Sequence, residues 1–216
     1  MTRKELTKRY LLFGVSLFVM GVGIAITRHG EIGVTPISSI PNVVSLKVPG
    51  ITFGTLLFIW NCVLLAGQIL LLRKNFKPVS LLQIPLSVLF GWFTDIGTKI
   101  STLIPTDLYP MRIVCVLLGT VILGFAISLG VTANVILNSG EAFVKALSDT
   151  THRQFSNVKI VFDISCVVTS MILSVILFGR VEGTREGTII AALTTGWVVK
   201  LFTWLLHDPL DRLLRK

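Results

Sequence analysis

Six apolar runs set what this chain can become: Tyr10 to Thr27, Thr52 to Leu72, Val79 to Thr98, Met111 to about Thr132, Val158 to Phe178 and Gly187 to Leu206. A helix needs roughly 20 apolar residues to cross the hydrocarbon layer of a bilayer, and each run is about that long. A soluble fold would have to bury nearly all of them in one core, and 216 residues do not enclose enough interior for that. Composition agrees: 52% of residues are hydrophobic and 14% charged, against about 25% charged in an ordinary soluble domain. The expectation is an all-α, polytopic membrane protein with six transmembrane helices.

The basic residues lie mainly between the runs and at the termini, so the net charge of +9 reads as a topology signal and not as a nucleic-acid footprint. If the N-terminus faces the cytoplasm, the inside segments hold Arg3, Lys4, Lys8, Arg9, Arg73, Lys74, Lys77, Lys145, Arg153, Lys159, Arg212, Arg215 and Lys216. The outside loops then hold only Arg28, Lys47, Lys99, Arg112, Arg180 and Arg185. That bias places both termini inside. Arg3, Lys4, Lys8 and Arg9 ahead of an apolar run resemble a secretory leader, but no small-x-small cleavage site follows, so a retained first span is expected.

An internal repeat is legible. Gly91-Trp92 matches Gly196-Trp197 at a separation of 105 residues, and the same separation carries Gly14 to Gly119. At a separation of 102, Phe53 to Asn61 aligns with Phe155 to Asp163, pairing Gly54 with Ser156 and Asn61 with Asp163. Each half, 1–106 and 107–216, carries three spans. An odd number of crossings makes the halves inverted repeats, a plan common among secondary transporters. After the first span of each half comes a broken segment, "GVTPISSIPNVV" from Gly33 and "NSGEAFVKALSDTT" from Asn138. Pro36 suits the first turn of a helix. Asn138 or Ser139 suits a cap, and Glu141 suits a helix N-terminus. These short helices either re-enter the membrane, which marks a solute path, or lie flat as connectors.

The first loop with "GITFGTLLFIWN", and the late block "FSNVKIVFDISC" with "GRVEGTREGTIIAALTTGWVVKLF", resemble the YczE/YitT-like bacterial inner-membrane proteins. The resemblance implies a polytopic bacterial protein, commonly supposed to transport, with no catalytic residues to carry over. Those relatives have a Gly-Pro-Trp-Asp-type loop, whereas this chain has Val34-Thr35-Pro36-Ile37 and no acid there.

Ionisable side chains in spans usually face protein interior and mark function. Asp95 and Lys200 are equivalent in the repeat and so form a candidate pair. Either can instead snorkel to the membrane surface. Asp163, beside Lys159, matches Asn61 in depth, as a site between halves or as an interhelical bond. Gln68 and Gln83 suit helix packing. Thr188, in "EGTREGTII", opens the sixth span, where free N–H groups attract anions. Cys62, Cys115 and Cys166 fall in apolar runs, and His29, His152 and His207 sit at span ends or in loops. None suggests a metal or a cofactor. No hydrolase, phosphate-loop or metalloprotease motif occurs.

The expected function is transport of a small solute held near Asn61, Asp95, Asp163, Thr35, Pro36, Ser38, Ser39, Asn138, Glu141, Thr188 and Lys200. The alternatives are a non-transporting membrane subunit and, third, a lipid-directed membrane enzyme. The charge of the solute stays open. The expected partners are the lipid bilayer and that solute, with self-association left open.

Overall fold

The computed structural model describes residues 3–215, and of these residues none forms a strand. Eight α-helices follow one another: α1 (Arg3–His29), α2 (Pro36–Lys47), α3 (Phe53–Leu72), α4 (Gln83–Ser101), α5 (Tyr109–Ala133), α6 (Ser139–Thr151), α7 (Phe155–Phe178) and α8 (Glu186–Arg215). Short 3-10 turns, Arg73–Asn75 and Pro78–Leu82, join α3 to α4. Six helices, all but α2 and α6, are long and apolar enough to cross a membrane. The side chains of Ser156, His207 and Arg215 lie outside the described residues, as does the residue Lys216.

Local chemistry explains the boundaries. Thr52 caps α3, its Oγ1 accepting the N–H of Thr55 at 3.1 Å. Asn138 caps α6 by accepting the N–H of Ser139 at 2.9 Å. Pro36 occupies the first turn of α2 behind an extended Thr35. Asn134 and His152 end α5 and α6 in the left-handed region, and Gly179 does so for α7. A left-handed residue turns the chain off the helix axis, and only glycine does so without steric cost. Two helices outrun the apolar runs. α1 starts within the charged N-terminal segment, and α8 continues past Pro209 to Arg215.

At the centre, α1 and α5 run antiparallel in close contact. A Cβ on Gly23 would sit 2.8 Å from the backbone nitrogen of Leu123, and one on Gly119 would collide with Thr27. Small residues let two backbones approach in a membrane, where apolar side chains gain little over lipid. α4 lies parallel to α1, with Gly21 against Thr94 and Gly97 against Val22. α8 lies along the other side of α5, with Gly124 against Val198 and Phe125 edge-on to Phe202. α3 packs on α4 through Gly54 and Gly91, whose backbones almost touch. Phe13, Leu17, Met20, Ile24, Phe53, Leu57, Phe90 and Leu123 fill the core between them.

α1 and α8 meet at the end of the bundle that holds the termini. Arg9, only 6% exposed, bonds Glu5 at 3.1 Å, Asp211 at 2.6 Å and the carbonyl oxygens of Thr132 and Ala133, which are free at the end of α5. Outward, α7 shows Ile160, Val161, Ile164, Val168, Ile172 and Ile176, and α8 shows Leu193, Trp197 and Trp204. An apolar exterior of this kind suits lipid as its solvent.

The two short helices fill the remaining space, and each packs against both α3 and α7. The hydroxyl of Ser39 reaches the carbonyl of Cys166, at the midpoint of α7, at 3.3 Å. Eight residues on, Lys47 reaches the carbonyl of Leu177, near the end of α7. α2 therefore runs alongside α7 from the middle of the bundle to the end remote from the termini, and does not lie across that end. Ile37 meets Gly140 of α6, and Phe143 lies against Gly67 and Phe162. The two N-terminal ends face each other inside the bundle.

Candidate functional site

Three buried polar atoms have no hydrogen-bond partner among the described residues: Trp60 Nε1, Asn61 Nδ2 and Glu141 Oε2. An unmade hydrogen bond on an enclosed group costs about 1–3 kcal/mol, so each needs a reason. Asn61 is 4% exposed and stands near the middle of α3. Glu141 lies in the first turn of α6. Its residue surface is half-buried, yet Oε2 is enclosed. Desolvation is the main influence on its carboxyl, holding it above the usual range, with Asp163 adding to that and Lys159 opposing it.

The short helices and the ends of α3 and α4 bring hydroxyls and amides into the bundle. Thr35 and Ser38 share a short hydroxyl contact. Ser39 donates to Pro36 O at 2.6 Å. Gln68 and Gln83 bond each other through both amides at 3.1 Å, and Gln68 also donates to Ser139 O at 3.2 Å. Asn138 Nδ2 approaches Met20 Sδ at 3.8 Å. Two glutamines that use each other's donors and acceptors act as packing polar groups, as expected of them.

α7 adds a polar stripe. Lys159, Asp163, Cys166, Ser170 and Ser174 recur at spacings of four, three, four and four, which places them on one face of a helix. Lys159 grips Asp163 at 2.5 and 2.6 Å. Ser170 shares a hydrogen bond with Thr184 at 2.9 Å, and Ser174 accepts the N–H of Glu182 at 2.6 Å. The turn after α7 thus folds back into the bundle along this stripe.

At the end remote from the termini the turn after α7 borders a cavity of about 690 Å³. Arg28, His29, Asn42, Arg112, Arg180 and Arg185 line it, with Glu31 and Glu182 opposite in charge. Arg112 pairs with Glu31 at 3.1 Å, Arg185 with Glu186 at 3.2 Å, and Arg180 with Glu182.

Several expected site residues have other duties. Asp95 does not meet Lys200, which is exposed on α8. Asp95 instead accepts the N–H of Gly54 at 2.8 Å and the hydroxyl of Thr52 at 2.6 Å, securing the start of α3. The open end of α3 offered a carboxylate more than a distant lysine did. Thr188 does not present a free helix end. Its hydroxyl accepts the N–H of Val34 at 3.1 Å, and Gly187 donates to Ile32 O at 2.8 Å. Asn61 and Asp163 are not bonded to each other, because α2 and α6 both pack between the helices that carry them. Thr35, Pro36, Ser38, Ser39, Asn138 and Glu141 do gather where the short helices face each other.

The fold and its interior describe a multi-pass helical membrane protein with a polar interior. The chain belongs to a family of unknown function, DUF6198, whose model matches residues 7–204. No curated protein and no solved structure matches it.

Proposed function

We propose that the protein is a small-solute transporter of the bacterial inner membrane, with both termini in the cytoplasm. The observation that carries this reading is the set of enclosed, unpartnered atoms, Asn61 Nδ2 and Glu141 Oε2, beside two short helices that enter the bundle with their N-terminal ends facing. Irregular backbone within a membrane bundle is tolerated where it is buried or lines a polar path. Half-helix ends at mid-depth are a recurring way to build a solute site. The cavity remote from the termini is the outside approach, and the turn after α7, bonded to Ser170 and Ser174, lies between it and the stripe on α7.

Helix pairing supports two inverted halves. α1 on α4 corresponds to α5 on α8, and α2 on α7 corresponds to α6 on α3. The resemblance to YczE/YitT-like proteins and the distribution of Lys and Arg support the membrane and the orientation.

The test is a thermal-shift screen of purified protein against small carboxylates, phosphate, amino acids and amines, followed by uptake of each hit into proteoliposomes. A solute that stabilises wild type but not Asn61→Ala, and that accumulates in vesicles, is the expected result. Binding without flux would instead favour a substrate-capture subunit that works with another chain.

A further inference from the structure

Arg28 is the one arginine of the cavity that forms no ion pair among the described residues. It closes α1, half-buried, and three contacts fix its guanidinium. Nε donates to Asn42 Oδ1 at 2.8 Å, Nη2 donates to Ser45 Oγ at 3.1 Å, and Cζ stands 4.5 Å from the centre of the Phe53 ring. Asn42 is itself held, its Nδ2 donating to Gly183 O at 2.7 Å. The Asp95 carboxylate, which accepts from Thr52 and Gly54, acts on Arg28 from beyond ion-pair distance.

A guanidinium carries five N–H donors. Two are committed here, which leaves the Nη1 edge and one Nη2 hydrogen unmatched. A partly buried cation with no carboxylate in contact keeps hydrogen-bonding capacity to spare, and a fork fixed before binding spends little entropy when it grips a planar or tetrahedral oxyanion. The rim arginines are each paired with a neighbouring glutamate, so the arginine edge left open to an anion is that of Arg28. The volume admits a small molecule but not a folded chain.

We propose that Arg28, positioned by Asn42 and Ser45, is the oxyanion-binding group of this cavity, taking the carboxylate or phosphate of a small solute or of a lipid headgroup. This deepens the transporter reading and rests on it only for the solute's onward path.

The test uses full-length protein in phosphatidylcholine nanodiscs, titrated at constant ionic strength with inorganic phosphate and with succinate, choline chloride serving as the cationic control. A second arm replaces part of the lipid by phosphatidylglycerol without added anion. We expect a saturable rise in Tm with phosphate or succinate and none with choline. Arg28→Gln should weaken the apparent affinity by roughly 10- to 100-fold, the loss of hydrogen bonds to a charged group. Arg28→Lys should fall between, since a point charge lacks the fork. Lys145→Gln, which removes an exposed cation of α6 outside the cavity, should stay near wild type. A rise only with phosphatidylglycerol that Arg28→Gln abolishes also bears the assignment out and identifies a headgroup as the source.

No saturable rise in either arm, or an equal rise in Arg28→Gln, overturns the proposal. If Arg28→Gln does not fold, Asn42→Ala decides, because it keeps the charge and frees its orientation; wild-type affinity there overturns the assignment. Solute flux that persists without anion binding removes this site and leaves transport standing. Anion binding without flux does the reverse.

Discussion

Single residues in this protein divide between holding the bundle and facing its interior. Asp95 holds. Its carboxylate closes the N-terminal end of α3, so Asp95→Ala should cost about 1–2 kcal/mol, the usual worth of a helix cap, and lower Tm, while Lys200→Ala should leave Tm unchanged. Glu141 faces inward. Burial raises its carboxyl above the range of an exposed glutamate, so the folded protein keeps a proton that the unfolded chain has already released. Stability should therefore fall as pH rises above about 4.3, the unfolded value. Glu141→Gln, which has no proton to lose, should lack that decline. Melting curves of both proteins from pH 4 to 8, plotted as a difference, check the sign. Arg28 illustrates why a site can escape a linear reading. In sequence it is one of the basic residues flanking a span. Its meaning comes from Asn42 and Ser45 on α2, Phe53 on α3 and Gly183 after α7, which only the fold brings together.

Among the elements, the long helices were legible because an apolar run of membrane length leaves few alternatives. Their ends were less so: charged residues continued α1 and α8 beyond the apolar signal, since a helix does not need hydrophobicity to propagate in water. The starts of α2 and α6 followed from Pro36 and Asn138, but whether those helices enter the bundle depended on contacts with α7 and with each other. The stripe on α7 was present in the spacing from Lys159 to Ser174, though its serines look like ordinary small residues until the turn after α7 is seen folding back to them. The matched glycines proved unequal. Gly91 lies against Gly54, so Gly91→Ala should force α3 and α4 apart and destabilise by roughly 1–3 kcal/mol, as overpacking does. Gly196 has no neighbour within 4 Å, so Gly196→Ala should be neutral or gain a few tenths of a kcal/mol from helix propensity. Chemical denaturation of the two variants separates these outcomes.

At the scale of the whole molecule, the termini lie at one end, joined through Arg9 and Asp211, and the arginine-lined cavity lies at the other. Reporters fused to the two termini should accordingly score on the same side of the membrane, and a cysteine replacing Glu31 should react with an impermeant reagent from the opposite side. α3 and α4 are tightly packed, while α7 and α8 make little contact with each other. The helix pairs α3–α4 and α7–α8 are thus unequally closed. The seam of Gly23, Thr27 and Gly119 between α1 and α5 has a mechanical consequence. Two backbones this close leave no room to slide or to part without stripping out contacts along their length. Any rocking of one half against the other must then turn about that line as on an axle, with the largest travel at the helices set farthest from it.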